Sequence, residues 1–92
     1  MNRFLKISAH TVKRYEPKLS TYFFYNAQNK TYWETDFSTG SVVCLLDGTI
    51  SEEEVISILS ANNPSVSFDE INTRFSSVFD FLVQEGFLDV VD

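Results

Sequence analysis

The stretch Ser20-Thr21-Tyr22-Phe23-Phe24-Tyr25, Asn26-Ala27-Gln28-Asn29, Lys30-Thr31-Tyr32-Trp33-Glu34-Thr35 reads as two strands and the turn between them. Thr, Tyr, Phe and Trp suit a pleated surface, whereas Asn breaks it and accepts turn geometry. Alternation puts Thr31, Trp33 and Thr35 on one face of the second run, and Tyr32 and Glu34 on the other. Trp33 is expected to face the helices, because an indole in water forgoes burial. Working outward, Thr11 to Glu16 mixes β-branched, basic and aromatic residues and stops at Pro17, which predicts a strand before the hairpin.

Everything after Thr35 has helical punctuation. Asp36 or Ser38 can accept backbone N–H bonds and start a first helix. Val42, Leu45 and Leu46 would give that helix its apolar stripe, with Gly48 as its stop. Ser51 and Glu54 have capping-box spacing, so a second helix starts there. Its expected stripe is Val55, Ile58 and Leu59, and Asn62-Asn63-Pro64 ends it. Asp69 precedes the third and longest helix. Ile71, Phe75, Val78, Phe79 and Leu82 share one face of it, Gly86 ends it, and Phe87 to Val91 reads as a short extended tail. Three strands followed by three helices predict an α+β fold, a three-stranded antiparallel sheet covered by a helical layer. Ninety-two residues fit one domain, 1–92, with enough chain for a core of its own.

Composition narrows the function. The apolar fraction is 43%, with nine Phe, four Tyr and one Trp, which is globular rather than disordered. The net charge of −6 is unevenly spread: residues 1–46 carry six basic and three acidic side chains, residues 47–92 one basic and ten acidic. An acidic second half repels phosphate. The longest strictly apolar run, Val42 to Leu46, is far short of the roughly 20 residues of a membrane span, and Arg3 and Lys6 interrupt any signal-like start. The expected location is the cytoplasm, with no membrane partner. Cys44 has no second cysteine to pair with and sits in that apolar run as a small hydrophobe.

Catalytic constellations are missing from the sequence. One histidine, His10, and one cysteine do not make a structural zinc site. The three glycines are isolated, so no phosphate loop exists. Glu52, Glu53 and Glu54 lie at a helix N-terminus, where they answer the helix dipole, and point in different directions around the axis. The expectation is a binding protein without cofactor or metal.

Four stretches in order resemble a known family. They are Val12-Lys13-Arg14-Tyr15-Glu16, Tyr32-Trp33, Leu46-Asp47-Gly48-Thr49-Ile50 followed by Glu53-Glu54-Val55-Ile56, and Val78 to Leu88 with Phe81-Leu82 and Gly86-Phe87-Leu88. Together they resemble the PqqD-like proteins, recognition elements for ribosomally made, post-translationally modified peptides. The resemblance runs from about Ile7 to Val91. One departure is Thr35-Asp36, where the family usually has Leu-Asn at the start of the first helix. Asp36 can still cap as Asn would, and Phe37 is expected to fill the core space that Thr35 leaves.

The resemblance implies a winged-helix-like fold whose third strand is a free edge. It also implies that the leader of a precursor peptide pairs with that edge and lies against the third helix, held there for a separate modifying enzyme such as a radical SAM enzyme. Lys30 to Thr35 contains no proline, so its backbone N–H groups are available to a partner strand. The expected peptide contacts are Thr31, Tyr32, Trp33, Glu34 and Thr35 on the strand and Arg74, Val78 and Phe81 on the helix. Phe81 fits equally as an edge of the core. Arg74 reads either as an exposed charge paired with Glu70 or as a grip on a leader carboxylate. The protein is expected to be a monomer or weak dimer. Two other readings compete. A DNA-binding winged helix needs a basic recognition helix, and the third helix sets Arg74 against Asp69, Glu70, Asp80 and Glu85. A generic adaptor would bind a folded protein through the acidic helices.

Overall fold

In the computed structural model, which describes residues 2–91, the elements run β1 (Phe4–Ile7), β2 (Thr11–Glu16), β3 (Thr21–Asn26), β4 (Thr31–Asp36), α1 (Phe37–Cys44), β5 (Asp47–Ser51), α2 (Glu52–Asn62), α3 (Phe68–Gln84) and β6 (Leu88–Val91). The fold is α+β, and the expected antiparallel meander is present in the order β2-β3-β4. Each of its connections has four residues and ends on a left-handed one, Ser20 (φ 50°) and Lys30 (φ 57°). The Asn26 side chain sets the second turn, its Oδ1 accepting the N–H groups of Gln28 (2.9 Å) and Asn29 (3.1 Å).

A second three-stranded antiparallel sheet, β5-β1-β6, was not legible in the sequence. Its strands are four or five residues long and come from the two ends and the middle of the chain, so each is made a strand by remote pairing rather than by local pattern. The tail after α3 is its third strand, pairing Leu88 with Ile7 and Val91 with Phe4. Gly48 was expected from the sequence to end α1, and it does not. The helix closes earlier, where Leu45 and Leu46 donate to the carbonyls of Val42 (3.0 Å) and Val43 (3.1 Å). Gly48 instead lies in β5 at φ +88°, where the register against β1 shifts between Phe4 and Lys6. A positive φ in a bulge suits glycine for the same reason a helix stop does.

The helix caps largely follow the sequence. Asp36 caps α1, Ser51 caps α2 by accepting the Glu54 N–H while its hydroxyl donates to the Glu54 carboxylate, and Ser67 rather than Asp69 caps α3. Two apolar stripes are rotated from expectation. In α1, Val42 and Val43 are buried and Leu45 is exposed. In α2, Val55 and Ile56 are buried and Ile58 is 47% exposed. The α2 rotation turns Glu52 inward, and Arg3 meets it with two hydrogen bonds, Nε to Oε2 at 2.9 Å and Nη2 to Oε1 at 3.1 Å. The same guanidinium reaches Asp80 at 2.6 Å, joining the N-terminal segment, α2 and α3. A buried carboxylate is tolerated only with such a partner.

The core lies where α3 meets both sheets. Phe79 and Leu82 are wholly buried, as are Leu5 and, within 1%, Phe24 and Leu88. Each contributes about 1.5–3 kcal/mol by removal from water. Phe37 does not fill the core as expected. It stays 51% exposed and packs against the rings of Tyr15 (5.5 Å) and Tyr22 (6.1 Å).

Candidate functional site

The meander ends on β4, whose far edge pairs with no other strand among the described residues. Which of its backbone groups face outward follows from one hydrogen bond. The Ala27 N–H donates to the His10 carbonyl at 2.8 Å, toward β2. In an antiparallel ladder the N–H and C=O of one residue point to the same side and alternate along the strand. Asn26, Phe24 and Tyr22 therefore turn toward β4, where they oppose Thr31, Trp33 and Thr35. Tyr32 and Glu34 are left with N–H and C=O directed away from the sheet. The expectation that every N–H of Lys30 to Thr35 is available thus needs correction: alternate ones are.

Side chains alternate with the same period. Thr31, Trp33 and Thr35 are half-buried and Tyr32 and Glu34 exposed. Trp33 packs on Phe24 with ring centroids 5.4 Å apart, facing the core as expected. On the outer face Tyr32 donates its phenol O–H to Glu34 Oε2 at 2.8 Å and stacks on Phe23 at 6.0 Å. The bond to the Glu34 carboxylate holds the Tyr32 phenol above its ordinary pKa. The Thr31 hydroxyl oxygen is buried without a hydrogen-bond partner.

The helical wall is the stripe Arg74, Val78, Phe81 and Glu85, spaced four, three and four residues apart on α3. Both of its ends touch residues that flank β4. Arg74 Nη2 donates to Thr39 Oγ1 at 3.4 Å, three residues beyond the end of the strand. At the other end Asn29 Nδ2 donates to the Glu85 carbonyl at 3.2 Å, two residues before the strand begins, and Asn26 Nδ2 donates to the Gly86 carbonyl at 2.8 Å. These ties join the two ends of the stripe to segments that follow and precede β4, with Val78 and Phe81 between them along α3. Val78 is half-buried. Phe81 is 44% exposed and lies outside the buried core.

Arg74 is exposed and makes no ion pair with Glu70. Its guanidinium carbon lies 5.4 Å from the Phe75 ring centroid instead. It also helps hold the Asp36 carboxyl below its ordinary pKa, a shift due first to the Thr39 backbone N–H that Asp36 caps at 2.8 Å. The role of Arg3 was missed in the sequence, because its acidic partners are 49 and 77 residues away.

Cys44 is half-buried, and desolvation pushes its thiol above the ordinary value, against any use as a thiolate nucleophile. His10 is exposed at the start of β2. No described helix is long and apolar enough to cross a membrane. A cavity of about 740 Å³ lies past the end of β4, between α1, the end of α2 and the first half of α3, and shares Arg74 with the helical wall.

No protein-family model matches this sequence, and no curated protein matches it. A solved structure described as "TbiB1 in Complex with the TbiA(beta) Leader Peptide" is similar to it with a TM-score of 0.77 and 20% sequence identity, over 91% of this chain and 94% of that one. At this identity the likeness establishes a shared fold.

Proposed function

We propose that this chain is a non-catalytic peptide-recognition domain. It takes the leader region of a ribosomally synthesised precursor as an added strand on β4 and holds it for a separate modifying enzyme, such as a radical SAM enzyme. One observation carries this reading: an unpaired strand edge with two outward N–H/C=O sets, at Tyr32 and Glu34, is tied at both ends to a helix that presents an exposed Phe81 beside it. Exposed aromatic edges invite uncontrolled pairing, so a chain that keeps one has a use for it. Backbone bonds along Thr31 to Thr35 supply affinity, and side chains dropping toward Trp33, Val78 and Phe81 supply selectivity. Arg74 offers a guanidinium to a leader carboxylate. The shared fold with a protein solved in complex with a leader peptide supports the same reading.

The whole chain acts as one unit without a cofactor, as a monomer or weak dimer in the cytoplasm, and with neither nucleic acid nor membrane as partner. The charge supports a peptide over a phosphate backbone, since α2 opens on three glutamates and α3 carries Arg74 alone against three acids, with a fourth, Glu85, at its C-cap. Calorimetry with leader and core fragments of a precursor encoded beside the gene tests the proposal. One-to-one binding of the leader is expected, at roughly −8 to −12 kcal/mol, nanomolar to low micromolar. Equal binding by the core fragment would count against it.

A further inference from the structure

The cavity beyond β4 is not accounted for by strand addition. It is open because α2 stops at Asn62 and α3 starts only at Phe68, and every residue from Asn62 to Ser67 is exposed. The connecting loop forms one side of it and is braced by its own bonds, Asn63 Nδ2 to the Leu59 carbonyl at 2.8 Å and the Val66 N–H to the Asn63 carbonyl at 3.0 Å. The walls are mainly apolar, with Phe37 and Val42 on α1, Leu59 on α2, Val66 on the loop, and Ile71 and Phe75 on α3. Phe37 and Val66 remain 51% and 38% exposed there. A concavity of about 740 Å³ with apolar walls and a few polar groups at its rim has the size and character of a ligand pocket.

Its position gives it an occupant. Phe37 directly follows Asp36, the last residue of β4, and Arg74 lines both the cavity and the wall beside the strand. A chain running along β4 and continuing past Glu34 covers roughly 10 Å in three extended residues and so reaches Phe37 at the mouth. Glu70 and Arg74 stand at the rim and Asp36 lies close to Arg74, so the local charge disfavours a peptide carboxylate inside.

We propose that this cavity is the specificity pocket of the site: it takes one aliphatic or aromatic side chain of the bound peptide, about three to four residues beyond the residue that pairs with Glu34. The inference rests on the strand-addition reading and adds to it a sequence requirement that backbone pairing by itself does not impose. Burying one such side chain is worth roughly 10- to 100-fold in affinity.

The test uses a phage-displayed library of random 16-residue peptides selected against the full chain, with a labelled selected peptide for affinity. Val66→Trp and, from the opposite wall, Ser38→Phe fill the cavity from exposed positions, while Glu34→Pro removes an outward donor from β4. Melting curves confirm that each variant is folded. Peptides selected on the wild type should share an extended stretch with an apolar residue near one end. Both cavity-filling variants should weaken the labelled peptide at least tenfold, and leave unchanged a version with that apolar residue replaced by Ser. If Val66→Trp and Ser38→Phe bind like wild type while Glu34→Pro does not, the pocket inference fails and strand addition stands. If the wild type selects no common sequence, the pocket inference fails, and if Glu34→Pro also binds like wild type, strand addition itself falls.

Discussion

Glu34→Pro separates edge pairing from folding more cleanly than any other single change in β4. The Phe23 and Glu34 pair is a non-hydrogen-bonded one, so the Glu34 N–H takes no part in the ladder with β3 and points away from it. Proline is tolerated on an edge strand when the missing N–H faces outward. The melting temperature should therefore move little. A bound peptide strand, by contrast, loses one hydrogen bond worth about 0.5–1.5 kcal/mol, and its carbonyl is left unpaired against the ring. The expected loss of affinity is about 1–3 kcal/mol, roughly 5- to 150-fold. Glu34→Ala is the control, since it removes the carboxylate that accepts the Tyr32 hydroxyl but keeps the N–H, and it should bind nearly as wild type. Thr31→Pro is the opposite control: its N–H faces β3 opposite Asn26, so it should lower the melting temperature as well as the affinity. Calorimetry and thermal melting on the three variants measure both quantities. If Glu34→Pro keeps full affinity while folded, the peptide does not add to this edge.

Further tests reach the helical wall, the cap and the buried ion pair. Phe81→Ala should weaken leader binding by about 1–3 kcal/mol with little change in melting temperature, because the ring is 44% exposed; a stability loss near the 3–5 kcal/mol of a core phenylalanine would refute that placement. The Asp36 carboxyl titrates below its ordinary 3.8, so its stabilising contribution is complete above that value and lost as pH falls through the lowered one. Asp36→Asn, which caps without titrating, should show a flatter melting temperature between about pH 5 and pH 2, and identical acid profiles would sink the assignment. Arg3→Ala strands a carboxylate on Glu52, whose side chain is only 7% exposed, and should cost about 3 kcal/mol in denaturant unfolding; a loss below about 0.5 kcal/mol would show that the pair contributes only as a surface one does.

How much of this was legible in the chain depends on how local the cause is. The meander, the Asp36 and Ser51 caps and the long α3 face can be read directly, because turn formers, caps and 2.0 or 3.6 periodicity act within a few residues. The residues of the candidate site were legible for the same reason, Thr31 to Thr35 as a strand and Arg74, Val78 and Phe81 as a helical stripe. Their standing as a site was not. The ties from Asn29 to Glu85 and from Arg74 to Thr39, which hold strand and helix side by side, join residues 56 and 35 positions apart. The second sheet was hidden likewise, since Phe4–Ile7 is a strand only because Asp47–Ser51 and Leu88–Val91 flank it. The rotation of α2 brings Glu52 inward, where the Arg3 guanidinium donates to its carboxylate, a pairing that no local pattern announces. Local sequence thus determined the strands of the meander, the three helices and the buried face of α3. Tertiary packing decided which edge stays open, which N–H groups point out of it, and that Phe81 stays exposed rather than in the core, because those are properties of the space between elements.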